Sequence, residues 1–150
     1  MSSDLGDVIE FSERGNDILT RYIAVHNAMF GFSIRKLLFL PIDFMGHCSS
    51  LARMTDEIDE EITDVDIMLG ASANFSTAKL RYLNSLREYL TALSNTINLL
   101  GAISENLGLK SQRSGDYSLA QHHIDVEAYK DSVEEYKVLG GQLNDHLFAL

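Results

Sequence analysis

The sequence predicts an all-α protein, an up-down-up-down antiparallel four-helix bundle with long, coiled-coil-like helices. Three observations carry that expectation. Apolar residues recur at alternating steps of three and four in four long segments, glycine and serine punctuate the gaps between segments, and 150 residues contain a single proline. A chain of this length with 45% apolar residues can bury one sizeable core, so residues 1–150 are expected to form one domain.

The first segment carries Val8, Phe11, Gly15, Ile18, Tyr22, Val25, Met29 and Phe32 on one side of a helix. The second carries Phe44, Cys48, Leu51, Thr55, Ile58, Ile62, Val65 and Leu69. The third carries Leu83, Leu86, Leu90, Leu93, Ile97, Leu100, Ser104 and Leu107. The fourth carries Leu119, His122, Val126, Tyr129, Val133, Tyr136, Gly140, Leu143, Leu147 and Leu150. Of these 34 seam positions 29 are apolar, about twice what composition alone would place there.

Punctuation sets the expected ends. Gly70 follows Leu69 and Gly108 follows Leu107, each where a left-handed C-terminal cap favours glycine. Ser118 and Gln121 have the spacing of a capping box that opens the fourth helix. The connection 70–74 is short and 108–116 is longer and carries Lys110 and Arg113, so the second, third and fourth helices are expected to be consecutive antiparallel neighbours.

The connection between the first and second helices is short and apolar: Ser33-Ile-Arg-Lys-Leu-Leu-Phe-Leu-Pro41. One expectation is a lid, a short helix capped by Ser33 with Pro41 in the first turn of the second helix. The other is a docking patch in which Ile34, Leu37, Leu38 and Phe39 meet a partner, flanked by Arg35 and Lys36.

The third segment has no charged residue from Tyr89 to Ser104. Loss of charge with retention of small polar groups fits a helix pressed against another subunit, so Thr91, Asn95 and Asn98 are expected to face a homodimer partner. In the second segment the acids Asp56, Glu57, Asp59, Glu60, Glu61, Asp64 and Asp66 lack the glycine-centred loop of a calcium site. Ile58, Ile62 and Val65 carry the seam through them, so the acids are expected on a solvated face, in part answered by Lys79, Arg81 and Arg87, or docking a basic partner.

The net charge of −10 argues against nucleic acid and weakens the case for a membrane surface. The lone Cys48, and an N-terminus without the basic and apolar regions of a signal peptide, lead to the expectation of a cytoplasmic protein. No catalytic, cofactor or metal signature is present. Of the five histidines only His122 lies on a seam; it is expected to form a polar layer with Ser104, with His47 and Cys48 near the same end. No Glu-x-x-His pair of a di-iron bundle occurs.

Gly15, Thr55 and Gly140 also interrupt the seams. One reading is a close approach of the first and fourth helices at Gly15 and Gly140. The other is a pocket for a small apolar or aromatic ligand formed by Gly15, Tyr22, Thr55, Tyr136 and Gly140.

His47-Cys-Ser-Ser-Leu-Ala lacks the lysine and glycine that follow the histidine of a phosphotransfer domain. Arg21-Tyr-Ile-Ala-Val-His26 resembles the Arg-to-His motif of ribonucleases of the HEPN class, which are also small helical bundles. The resemblance covers two residues, falls early in the chain where that family usually carries its motif late, and implies an RNA-cleaving pair of Arg21 and His26. Three functions follow in order: a non-catalytic, self-associating interaction protein, adaptor or regulator; a bundle sensing a small ligand or metal; and an Arg-His ribonuclease.

Overall fold

The computed structural model describes residues 2–30, 42–112 and 116–150, and for residues 2–5 the backbone only. Four helices make up the described chain: α1 (Ser2–Phe30), α2 (Phe44–Gly70), α3 (Thr77–Ser111) and α4 (Leu119–Phe148). The protein is all-α, as the three-and-four periodicity predicts. The expectations for Ser33 to Leu40, including Ile34, Leu37, Leu38 and Phe39, and for Pro41 lie outside the described residues.

Pairs of side-chain contacts between helices give the direction of each helix. Arg14 meets Asp64 and Arg21 meets Glu57, so α1 and α2 run oppositely. Ser104 donates to the carbonyl of Phe44 while Arg87 binds Asp66, which sets α3 against α2 in the opposite sense. Thr96 pairs with Ser132, and Tyr89 with Tyr136, giving the same relation between α3 and α4. Ser12 on α1 reaches Tyr82 on α3 through their hydroxyls at 2.6 Å.

The core follows the seams on α1, α2 and α3. Val8, Phe11, Ile18, Tyr22, Val25 and Met29 of α1 are buried, as are Leu51, Ile58 and Val65 of α2 and every seam residue of α3 from Leu83 to Ser104. On α4 only Tyr129 and Tyr136 are buried, and Leu119 is exposed. α4 covers one flank of α3 and leaves most of its own circumference in water, so its apolar positions sit at the rim of the core rather than inside it.

α3 is the centre of the bundle, packed against each of the other helices. Ten of the sixteen residues from Tyr89 to Ser104 are buried within the chain, which accounts for most of the missing charge without a second subunit. Only Thr91, Asn95, Asn98 and Ala102 remain exposed there, a stripe one residue wide.

Several expected ends move. α2 begins at Phe44 because the Asp43 carboxylate accepts from the Gly46 amide at 2.9 Å. Gly70 is the last helical residue of α2, with Ala71 as the cap. Gly108 is no cap at all: α3 continues to Ser111, and a Cβ at 108 would lie 2.5 Å from the Met45 sulfur. Its glycine lets the start of α2 lie close on α3. At the start of α4 half of the capping box forms, since Ser118 accepts from the Gln121 amide at 3.0 Å while the Gln121 side chain turns to Asp125.

Gly140 does not mark an approach of α1 to α4. A Cβ there would lie 3.2 Å from the Tyr89 ring, so the close contact is between α3 and α4. Among the described residues no Cα of α1 comes within 8 Å of one of α4, because aromatic side chains fill the space between them.

Truncating the fully buried Leu93 to alanine is expected to cost about 2–5 kcal/mol in urea unfolding, through lost burial plus the cavity left behind. Val138→Ala on the exposed side of α4 is expected to stay within about 0.5 kcal/mol.

Candidate functional site

The residues proposed from sequence do not all come together. Tyr22 and Tyr136 do: their rings meet edge to face with centroids 6.0 Å apart, across the gap between α1 and α4. Together with Ile23, His26, Val133 and Lys137 they line a cavity of about 230 Å³. Gly15 lines a different, smaller space of about 50 Å³ between α1, α3 and α4. Thr55 spends its hydroxyl on the Ala52 carbonyl of its own helix, and Gly140 faces Tyr89, so neither belongs to the larger cavity.

The floor beside that cavity is a chain of polar groups. The Tyr22 and Tyr129 hydroxyls are hydrogen-bonded to each other, and the Tyr129 hydroxyl lies 2.6 Å from Nδ1 of His26. The His26 ring stacks on Tyr129 at a centroid distance of 5.7 Å and tilts against Phe30 at 5.4 Å. Burial pushes the His26 imidazole below its ordinary 6.5, and the Lys137 ammonium adds to the effect. A neutral ring is therefore favoured at neutral pH. With Nδ1 as acceptor, Tyr22 donates to Tyr129 and Tyr129 donates to His26, which leaves Nε2–H as a free-standing donor of the ring.

Burial also raises the phenols of Tyr22, Tyr129 and Tyr136 above their usual range. They stay protonated, and they offer neutral hydroxyls rather than nucleophiles or bases. The arrangement can hold a ligand by shape, ring contacts and a few hydrogen bonds, with the Lys137 charge nearby.

The spacing held the signal for this cluster. Tyr22, His26 and Phe30 stand at steps of four on α1, and Tyr129 and Tyr136 stand seven apart on α4, so each set lies on one face. The sequence pairs His26 with Arg21 rather than with this pocket because His26 lies one position beyond the seam residue Val25.

Other expected sites separate. Arg21 is half-buried and pairs with Glu57 and Asp17, away from the Tyr129 contact of His26, so the two do not converge. Ser104 turns to the Phe44 carbonyl, and His122 lies 3.1 Å from the Tyr117 hydroxyl, so the expected layer of the two does not form. Among the described residues no three His, Cys, Asp or Glu side chains are placed to hold a metal ion. Burial, with Glu105 adding to it, pushes the Cys48 thiol up, away from thiolate reactivity.

The acidic run is a solvated face with one exception. Asp56, Glu57, Asp59, Glu60, Asp64 and Asp66 are exposed, and Arg21, Arg14 and Arg87 bind three of them. Lys79 is instead buried over the Phe75 ring. Glu61 is fully buried, and neither of its carboxyl oxygens has a hydrogen-bond partner among the described residues. Leu51, Met54, Ile58, Glu61, Val65 and Met68 form a three-and-four register of their own, so the sequence did place Glu61 on an apolar face.

The fold and this site define an all-α four-helix protein with an interior tyrosine and histidine cluster. Comparison with known proteins finds no matching family model, curated protein or solved structure.

Removing the middle hydroxyl with Tyr129→Phe strands two partners, and is expected to destabilise the fold by about 1–3 kcal/mol in urea unfolding. Lys137→Met is expected to move the His26 titration upward in NMR, because the repelling charge is gone.

Proposed function

We propose that this protein is a non-catalytic helical bundle that acts by binding, and that the cavity between α1 and α4 takes a small single-ring ligand. The observation that carries the reading is a partly open pocket of about 230 Å³ lined by groups from two helices, with the hydroxyl chain of Tyr22 and Tyr129 ending on His26 beside it. An apolar cavity of about 150 Å³ is enough for benzene, so one ring with a small substituent fits the volume. Ile23 and Val133 supply apolar wall, Tyr136 and His26 supply hydrogen bonds, and Lys137 favours an anionic substituent. Benzoate is the simplest probe of that chemistry. A cytoplasmic setting accompanies this reading, supported by the single cysteine and by the absence, among the described residues, of any helix long and apolar enough to cross a membrane.

A protein partner, a second copy included, is the second reading. It is favoured by the exposed and uncharged stripe Thr91, Asn95, Asn98 and Ala102 on α3, where like charges would not oppose a close approach. An acidic protein can bring a second acidic protein close only where such repulsion is absent, whereas the exposed acids of α2 suit a basic partner.

Benzoate is expected to raise the melting temperature, with a gain of about 2.7 kcal/mol at a hundredfold excess over its dissociation constant, and benzylamine is expected to give a smaller shift or none. The protein has no tryptophan, so quenching of tyrosine fluorescence reports the same event. Val133→Trp, which fills the space, should abolish the melting-temperature gain; no shift with any single-ring probe would end the ligand reading. For the second reading, sedimentation should show a dimer that Asn95→Arg disperses without lowering the melting temperature.

A further inference from the structure

An ionisable side chain buried without a partner is the least expected feature of a helical core. Glu61 lies in the middle of α2 at 0% exposure, in register with Ile58 and Val65, and its two oxygens meet no donor among the described residues. Leucine or methionine at that position would complete the seam. An ionised carboxylate left there without water or a donor is strongly disfavoured, so the folded core favours the neutral acid.

The charged and titratable groups around it come from three sides. Arg14 of α1 acts on Glu61 and holds Asp64, the carboxylate one turn along α2, at 2.9 Å. From α3 come the hydroxyls of Tyr82, bonded to Ser12, and Tyr89. Among the described residues α4 does not approach α2. Two carboxylates one turn apart thus share a single guanidinium, and only Asp64 is bonded to it.

We propose that Glu61 is a proton-controlled latch for α1: with the carboxyl neutral α1 is seated on α2 and α3, and ionisation draws Arg14 and water inward and loosens α1.

α1 is suited to that role. Grooves of about 670 and 490 Å³ lie along its junction with α2, and the spaces of about 230 and 50 Å³ also have α1 for one wall. Arg14 and Asp64 line the 490 Å³ groove, which gives water a path to the level of Glu61. By contrast the junctions of α3 with α2 and with α4 are tight, with the Met45 side chain against Gly108 and the Tyr89 ring against Gly140.

The direction of the pH effect follows from burial, which raises the Glu61 carboxyl from its ordinary 4.5 to about 7, against the pull of Arg14. Below about 4.5 the group is neutral whether folded or unfolded, and its full contribution to stability is present. Between about 4.5 and 7 only the folded protein keeps the proton, so stability falls as pH rises, by up to about tenfold in the unfolding constant per pH unit. Above about 7 both states are ionised and the loss is complete.

The test is urea unfolding from pH 5 to 8.5, together with amide exchange corrected for its intrinsic pH dependence. The wild type is expected to lose on the order of a hundredfold in folding constant as pH rises through this range, with amides of α1 losing protection before those of α2, α3 and α4. Glu61→Gln and the apolar Glu61→Leu should both remove the Glu61 part of the slope and keep α1 protected at pH 8. Histidine contributions, being common to all three proteins, cancel in the comparison. A slope equal in wild type and variants would overturn the proposal, and so would protection lost evenly over all four helices. Since ligand binding by the cavity plays no part in either readout, the outcome is independent of the function proposed above.

Discussion

The burial of α3 is the constraint on which the rest of the structure depends. A helix packed against three others has almost no circumference left for water, and a charge placed there would lose hydration with nothing to replace it. The run from Tyr89 to Ser104 is uncharged for that reason, and its polar groups are mostly absorbed locally: Thr96 bonds the Ala92 carbonyl and Ser132, and Ser104 bonds the Phe44 carbonyl. α2 and α4 then lie on either side of α3, close enough at Gly108 and Gly140 that a methyl group would need room made for it. α1 is held differently, through side chains across wider spaces.

That difference in packing decides where the unusual chemistry sits. Between α1 and α4 the backbones stand apart, and Tyr22, Tyr129 and Tyr136 bridge the distance with rings and hydroxyls. On α2, in register with Ile58 and Val65, Glu61 is fully buried. Between α1 and α4 the backbones do not close to contact, and the large tyrosine side chains occupy the difference. Salt links at the rim, Arg14 to Asp64 and Arg21 to Glu57, contribute little individually because they are largely in water. They do fix the register of α1, and with it the height at which Tyr22 meets α4.

Much of this was legible in the residues. The three-and-four pattern gave the helices, and it named Tyr22 and Tyr136 together as one pocket, which the structure brings into ring contact. Pattern failed where two registers overlap. Glu61 was assigned to the outer face with its acidic neighbours because the seam was drawn through Thr55 and Ile62, whereas the face toward the core also runs through Met54 and Met68. Gly108 looked like a helix end because a glycine after an apolar run satisfies the capping rule as well as the packing rule. The missing charge on α3 fits burial by a neighbour in the same chain, which the structure shows for ten of the sixteen residues, as well as burial by another chain, and a sequence does not distinguish the two.

The sequence by itself determined the class of the protein and the inward side of α1, α2 and α3, since hydrophobic period is a local property that any packing arrangement must respect. It also determined local stops that need only a few neighbouring atoms, as Ser118 does for α4. Only the tertiary structure decided which helix is central, that His26 ends a hydroxyl chain from Tyr22, and that Glu61 alone of seven acids is cut off from water. Those outcomes depend on how far apart the helix axes lie and how each is turned. Distance and turn are set by the joint packing of all four helices, which no single segment encodes.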